Sequence, residues 1–154
     1  MQSPESKVNH LDEAKKYFKK ASHLAYVTLS VLKENRLMIQ IVSDLHLSVV
    51  NLIKAFLDYE ASKKRIQLTR QPLENLNIFI QRVAPKYLSK EEINNLLCIL
   101  EIAKKHKDSS LEFFRKEKFV IFANGKYEVL SPESIKRMSV LLEKSIEAFP
   151  NSEE

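Results

Sequence analysis

The sequence predicts a mainly α protein: a five-helix antiparallel bundle with one β-hairpin just before the last helix. Three observations lead there. Apolar residues recur at alternating steps of three and four along most of the 154 residues, which is the spacing of a helix with one buried face. Strong punctuation is scarce, with one Gly and five Pro, and Pro72, Pro85, Pro132 and Pro150 stand where helices start or stop. The lone glycine lies in "KFVIFANGKYEVL", residues 118–130, between two short runs rich in Phe, Val, Ile and Tyr.

Helix one is expected from Leu11 to Leu32, on the seam Leu11, Ala14, Phe18, Ala21, Ala25, Thr28 and Leu32, with Lys15, Lys16, Lys19, Lys20 and Lys33 on the wet face. Helix two follows from about Leu37 to Ser62. It is apolar on most sides, through Leu37, Ile41, Leu45, Leu52 and Phe56 on one and Met38, Val42, Val49 and Ile53 on another, and so is expected at the centre. Helix three opens on Pro72 and is expected to stop at Pro85.

Ser89 and Glu92 form a capping box flanked by Leu88 and Ile93, placing the start of helix four at Lys90. Its basic end "KKHK", residues 104–107, suits the negative pole of a helix. Asn124-Gly125 is the favoured pair for a two-residue type I′ turn, so residues 118–130 are expected to form a hairpin. Helix five begins with Ser131 as cap and Pro132 in its first turn, and ends at Pro150.

The length suits a single domain, placed at residues 8–149, with flexible polar tails at 1–7 and 150–154. Apolar residues at 44% and charged residues at 29% exclude a chain that is disordered throughout. The single Cys98 cannot form an internal disulfide and no secretory leader pattern opens the chain, so a reducing cytoplasm is expected. The apolar stretch 37–57 is broken by Asp44, His46, Asn51 and Lys54, which argues for a core helix and against a membrane partner. A net charge of +5 and a pI of about 9.2 permit an anionic partner without requiring one.

The richest candidate site is "KKHKDSSLEFFRKEK", residues 104–118. Lys104, Lys105, His106, Lys107, Arg115, Lys116 and Lys118 are the candidate anion or nucleic-acid contacts, with Phe113, Phe114 or Phe119 available to stack on bases. The competing reading is a lysine-rich helix end with its aromatics in the core. His106 is the candidate catalytic residue. His23 shares a face with Lys16, Lys19 and Lys20, whereas His46 is flanked by Val42, Val49, Val50 and Ile53 and reads as a core or interface histidine. An acid–base site joining these two with Asp44 is a further candidate.

The run "KKRIQLTR", residues 63–70, is expected to be a solvated loop. Scattered histidines and one cysteine give no metal-ligand spacing. No Gly-rich phosphate cradle or nucleophile elbow is present, so no cofactor is expected. Cys98, between Leu97 and Ile99, reads as an inert core or near-core thiol.

Two long antiparallel helices, a short third, a fourth ending in a basic His-containing segment and a fifth together resemble the HEPN family, the higher-eukaryote and prokaryote nucleotide-binding domains. The resemblance covers roughly residues 10–148 and rests on helix order and on stretches such as "YFKKASHLAYVTLSVLKENRLMIQIVSDLHLSVVNLIKAFLDY". It implies a homodimer, and in many members a ribonuclease whose site is an Arg four to six residues before a His near the fourth helix. Here Arg36 is too far from His46, and His106 is preceded by Lys104 and Lys105. The resemblance therefore implies a non-catalytic binding or interaction module with RNA or a protein as partner. A ribonuclease with a non-standard site and a purely structural dimer are the alternatives.

Overall fold

The computed structural model describes residues 9–28 and 34–150. The polar tails expected at 1–7 and 151–154 and the expected end of helix one at Leu32 and Lys33 lie outside the described residues. Helix α1, His10–His23, is capped by the Asn9 side chain, which accepts the Asp12 N–H at 3.1 Å. It continues through a π-turn at Leu24–Thr28. Helix α2 is Asn35–Ser62.

The two run antiparallel, because Ser48 Oγ donates to the Ala14 carbonyl at 2.7 Å and His10 meets Asn51 one turn further along. Ala14, Ala21 and Ala25 are all buried, and their small side chains permit this close approach. Helix α2 is also packed on α5 and α6, so it occupies the centre of the bundle as its apolar circumference requires. By length and composition alone, Arg36–Ser62 is also long and apolar enough to cross a membrane.

The third helix is longer than expected and bent. Helix α3, Pro72–Ile78, passes through a π-turn at Phe79–Val83 into α4, Ala84–Tyr87, so Pro85 does not stop it. Proline lacks an N–H and its ring crowds the carbonyl four residues back. The wide turn, in which the Ala84 N–H reaches Phe79 O, absorbs both problems within the helix.

Helix α5, Lys90–Lys107, starts with the expected capping box: the Glu92 N–H donates to Ser89 Oγ at 3.1 Å and the Ser89 N–H to Glu92 Oε1 at 2.7 Å. Helix α6, Pro132–Glu147, is capped by Ser131, with Ser134 answering from the third position. Helices α1, α2, α5 and α6 close a four-helix ring, and the bent α3–α4 rod lies against α2 and α5 as the fifth member.

Between α5 and α6 the chain forms three strands where one hairpin was expected. Strands β1 (Leu111–Arg115), β2 (Lys118–Ala123) and β3 (Lys126–Leu130) make an antiparallel sheet in that order. The second turn is the expected one: Asn124 and Gly125 have φ of 54° and 77°. A Cβ at Gly125 would meet nothing within 4 Å, so the glycine serves the backbone conformation alone. The first turn uses Lys116 and Glu117 at φ of 50° and 69°. Neither residue announces a turn, which is why β1 escapes a reading by pattern.

One face of the sheet closes the end of the bundle. Phe119, Ile121 and Leu130 are all buried. Phe119 and Ile121 belong to the core of their own chain, because β2 packs on α5.

Candidate nucleic-acid interface

The register divides the segment 104–118 between two surfaces. Residues directly opposite in an antiparallel ladder share a face. The rows Phe114–Phe119–Leu130 and Glu112–Ile121–Glu128 therefore point inward, and the rows Leu111–Phe122–Tyr127, Phe113–Val120–Val129 and Arg115–Lys118 point outward. The stacking candidates separate accordingly. Phe119 has no exposed surface and Phe114 packs beside it, ring centres 6.5 Å apart, so neither can receive a base. Phe113 stands on the outer face.

The inward row containing Ile121 takes up two of the candidate cations. Lys105 Nζ lies 3.2 Å from Glu128 Oε2, and His106 Nδ1 lies 2.5 Å from Glu112 Oε2. A carboxylate can only accept, so Nδ1 carries the proton and Nε2 is the nitrogen left for other chemistry. Both contacts tie the last turn of α5 to the sheet. Lys104 and Lys107 remain exposed on that turn.

Arg115, Lys116 and Lys118 gather at the β1–β2 turn, three residues further along β1 from Glu112, about 10 Å. The seven candidates thus form two groups, with the sheet between them. Arg115 and Lys118 form a cross-strand pair on the outer face and make no ion pair among the described residues. Behind them lie six apolar side chains: Leu111, Phe113, Val120, Phe122, Tyr127 and Val129. Leu111, Tyr127 and Val129 are among the most exposed large apolar residues of the protein, and the Phe122 and Tyr127 rings meet at a tilt of 45° with centres 4.7 Å apart. Larger contiguous apolar patches on soluble proteins mark interaction sites.

The other candidates disperse. His23 opens toward α6 beside Glu143 and Glu147. His46 is half-buried, and desolvation lowers its pKa. Asp44 is buried and accepts from Gln40 Nε2 at 3.1 Å through one oxygen, while its other oxygen has no partner. No hydrogen bond or ion pair joins these three among the described residues. Cys98, expected near the core, is exposed. Burial of its surroundings and then the Glu128 carboxylate nevertheless push the thiol pKa up. No cluster of potential metal ligands occurs among the described residues.

Sequence reasoning missed one ionic centre, Glu60. Its side chain is fully buried and accepts from Arg65 Nη1 at 2.7 Å, from Tyr87 Oη at 2.8 Å and from Lys86 Nζ. Burial alone raises its carboxyl, but the three donors together outweigh that and hold it below the usual range. The signal was present: Glu60 continues the stripe of Ile53, Phe56 and Leu57 as a charge on a buried face. This centre pins the end of α2 to α4 and fixes Arg65 out of the basic run 63–70. Its oxygens are all taken, which makes it structural.

Comparison with known proteins gives no match: no family model, no curated protein and no solved structure is significantly similar to this chain.

Proposed function

We propose that the chain is a non-catalytic binding module that holds single-stranded RNA on the outer face of its sheet. The observation that carries this reading is that Arg115 and Lys118 share that face with Phe113, Phe122 and Tyr127. Single-stranded nucleic acid is bound by aromatic side chains that stack on bases beside cations that meet the phosphates. Here Phe113 lies two residues along the strand from Arg115, about 7 Å, and the Phe122–Tyr127 row four residues from Lys118, about 13 Å. The expected HEPN-like, RNA-contacting module has this chemistry, moved from the α5 end to the sheet.

Fluorescence anisotropy with a labelled mixed-sequence RNA of twelve nucleotides tests it. Binding should weaken with salt, and Arg115→Ala with Lys118→Ala should reduce the log–log slope by about 1.4, the share of two phosphates on a single strand. Tyr127→Ala should weaken binding by about 1–3 kcal/mol. Unaltered binding in both variants overturns the reading. So does a mass of twice 17.9 kDa by light scattering that Tyr127→Asp returns to the monomer, because the face would then belong to a second copy.

A second reading, a ribonuclease with a non-standard site, is favoured by the His106–Glu112 contact. A carboxylate on Nδ1 leaves Nε2 as an acid–base group. Metal-independent cleavage of RNA, abolished in His106→Ala, would establish it over the first.

A further inference from the structure

A groove with mainly apolar walls lies where α2, α3 and α5 meet. It has a volume of about 330 Å3 and is walled by Val50, Ile53 and Leu57 of α2, Leu76 of α3 and Leu100 of α5. That size falls within the roughly 300–1,000 Å3 of small-molecule sites. Its α3 wall comes from a helix with no fully buried residue, whose Leu76 is only partly packed against the core.

The wall on the α3 side is preformed. Asn75 Oδ1 accepts the Thr69 N–H at 2.9 Å and its Nδ2 donates to the Thr69 carbonyl at 2.9 Å, so the polar atoms of that wall are already satisfied. What remains polar at the rim is cationic. Lys54 and Arg70 are both exposed and make no ion pair among the described residues. Asp58, one turn beyond Lys54, lies 3.8 Å from His10 Nε2 on the α1 side.

We infer that this groove binds a small amphipathic anion, a medium-chain carboxylate whose alkyl body lies against Ile53, Leu57, Leu76 and Leu100 and whose head group meets Lys54 and Arg70. Apolar walls with two unpaired cations at the mouth complement such a molecule in both shape and charge. A second copy of the chain fits poorly, since a two-fold contact here would bring both copies' Lys54 and Arg70 together. The site is separate from the sheet face, and neither proposal depends on the other.

Isothermal titration calorimetry of the full chain with hexanoate, octanoate and decanoate tests it, with decanol and decylamine as uncharged and cationic controls. Saturable one-to-one binding should tighten about fourfold per added methylene until the groove is full. Decylamine should bind at least about tenfold more weakly than decanoate, and Lys54→Ala with Arg70→Ala should weaken decanoate about tenfold. Both substituted residues are exposed, so the fold is retained. Leu76→Trp, verified as folded by thermal melting, should abolish binding by filling the groove. Absence of saturation, equal affinity for decanoate and decylamine, or indifference to the double substitution overturns the inference. So does a dimer by light scattering that Leu76→Arg dissociates.

Discussion

His106 of α5 and Glu112 of β1 meet at 2.5 Å, with the imidazole 29% and the carboxylate 17% exposed. The contact closes the short connection between the end of α5 and the start of β1. Removing the charge with Glu112→Gln should destabilise the protein by about 1–2 kcal/mol, the range for a charge-assisted hydrogen bond away from bulk water. His106→Ala should have a similar effect. Because the residues share one interaction, the double variant should lose less than the sum, by about 1 kcal/mol. Urea melts that add would show that the contact contributes nothing.

Glu60 should make stability fall on the acid side. Its carboxyl is held lower in the folded chain than in the unfolded one, so the unfolded state binds the proton first as pH drops. The stabilisation is fully present above the unfolded carboxylate range, near pH 4–5, and is lost as pH falls through the lower folded value. Glu60→Gln should reduce stability at pH 7 by about 2–3 kcal/mol and flatten the acid limb of the profile. An unchanged acid limb would contradict the assignment.

The two turns of the sheet should respond oppositely to substitution. Gly125→Ala keeps every contact but forces a side chain into positive φ, and should lower stability by about 1 kcal/mol. Lys116→Asn places a residue tolerant of that region where a lysine now sits at φ 50°, and should raise stability by about 0.5 kcal/mol. Thermal melts of both variants decide this, and the same sign for both would refute it.

Cys98 should react slowly for an exposed cysteine. Its thiol is pushed up by desolvation and by Glu128, so less thiolate is present at neutral pH than in a free cysteine. Alkylation by iodoacetamide at pH 7.5 should be slower than for a model peptide thiol, and Glu128→Gln should speed it. A faster reaction than the peptide would contradict this.

The helices were legible in the sequence because each carries its own signals. Three-four spacing, the Ser89–Glu92 and Ser131–Pro132 starts and the Asn124-Gly125 turn act within a few residues, so no distant contact had to be known. Strand β1 and the continuation through Pro85 were not legible for the same reason. "LEFFR" becomes a strand only because β2 offers it a ladder, and Pro85 is tolerated only because the preceding turn widens. The candidate site divides along this line. The cations and aromatics of residues 104–118 could be counted in the sequence, but which of them face the core depends on strand register, where a shift of one residue exchanges the two faces. Pairing of Lys105 with Glu128, the burial of Phe119 under a separate helix and the contacts of Lys86 and Tyr87 with Glu60 join residues 23 or more positions apart or packed from separate elements. Such relationships are decided by packing, which brings together groups that local spacing leaves unrelated.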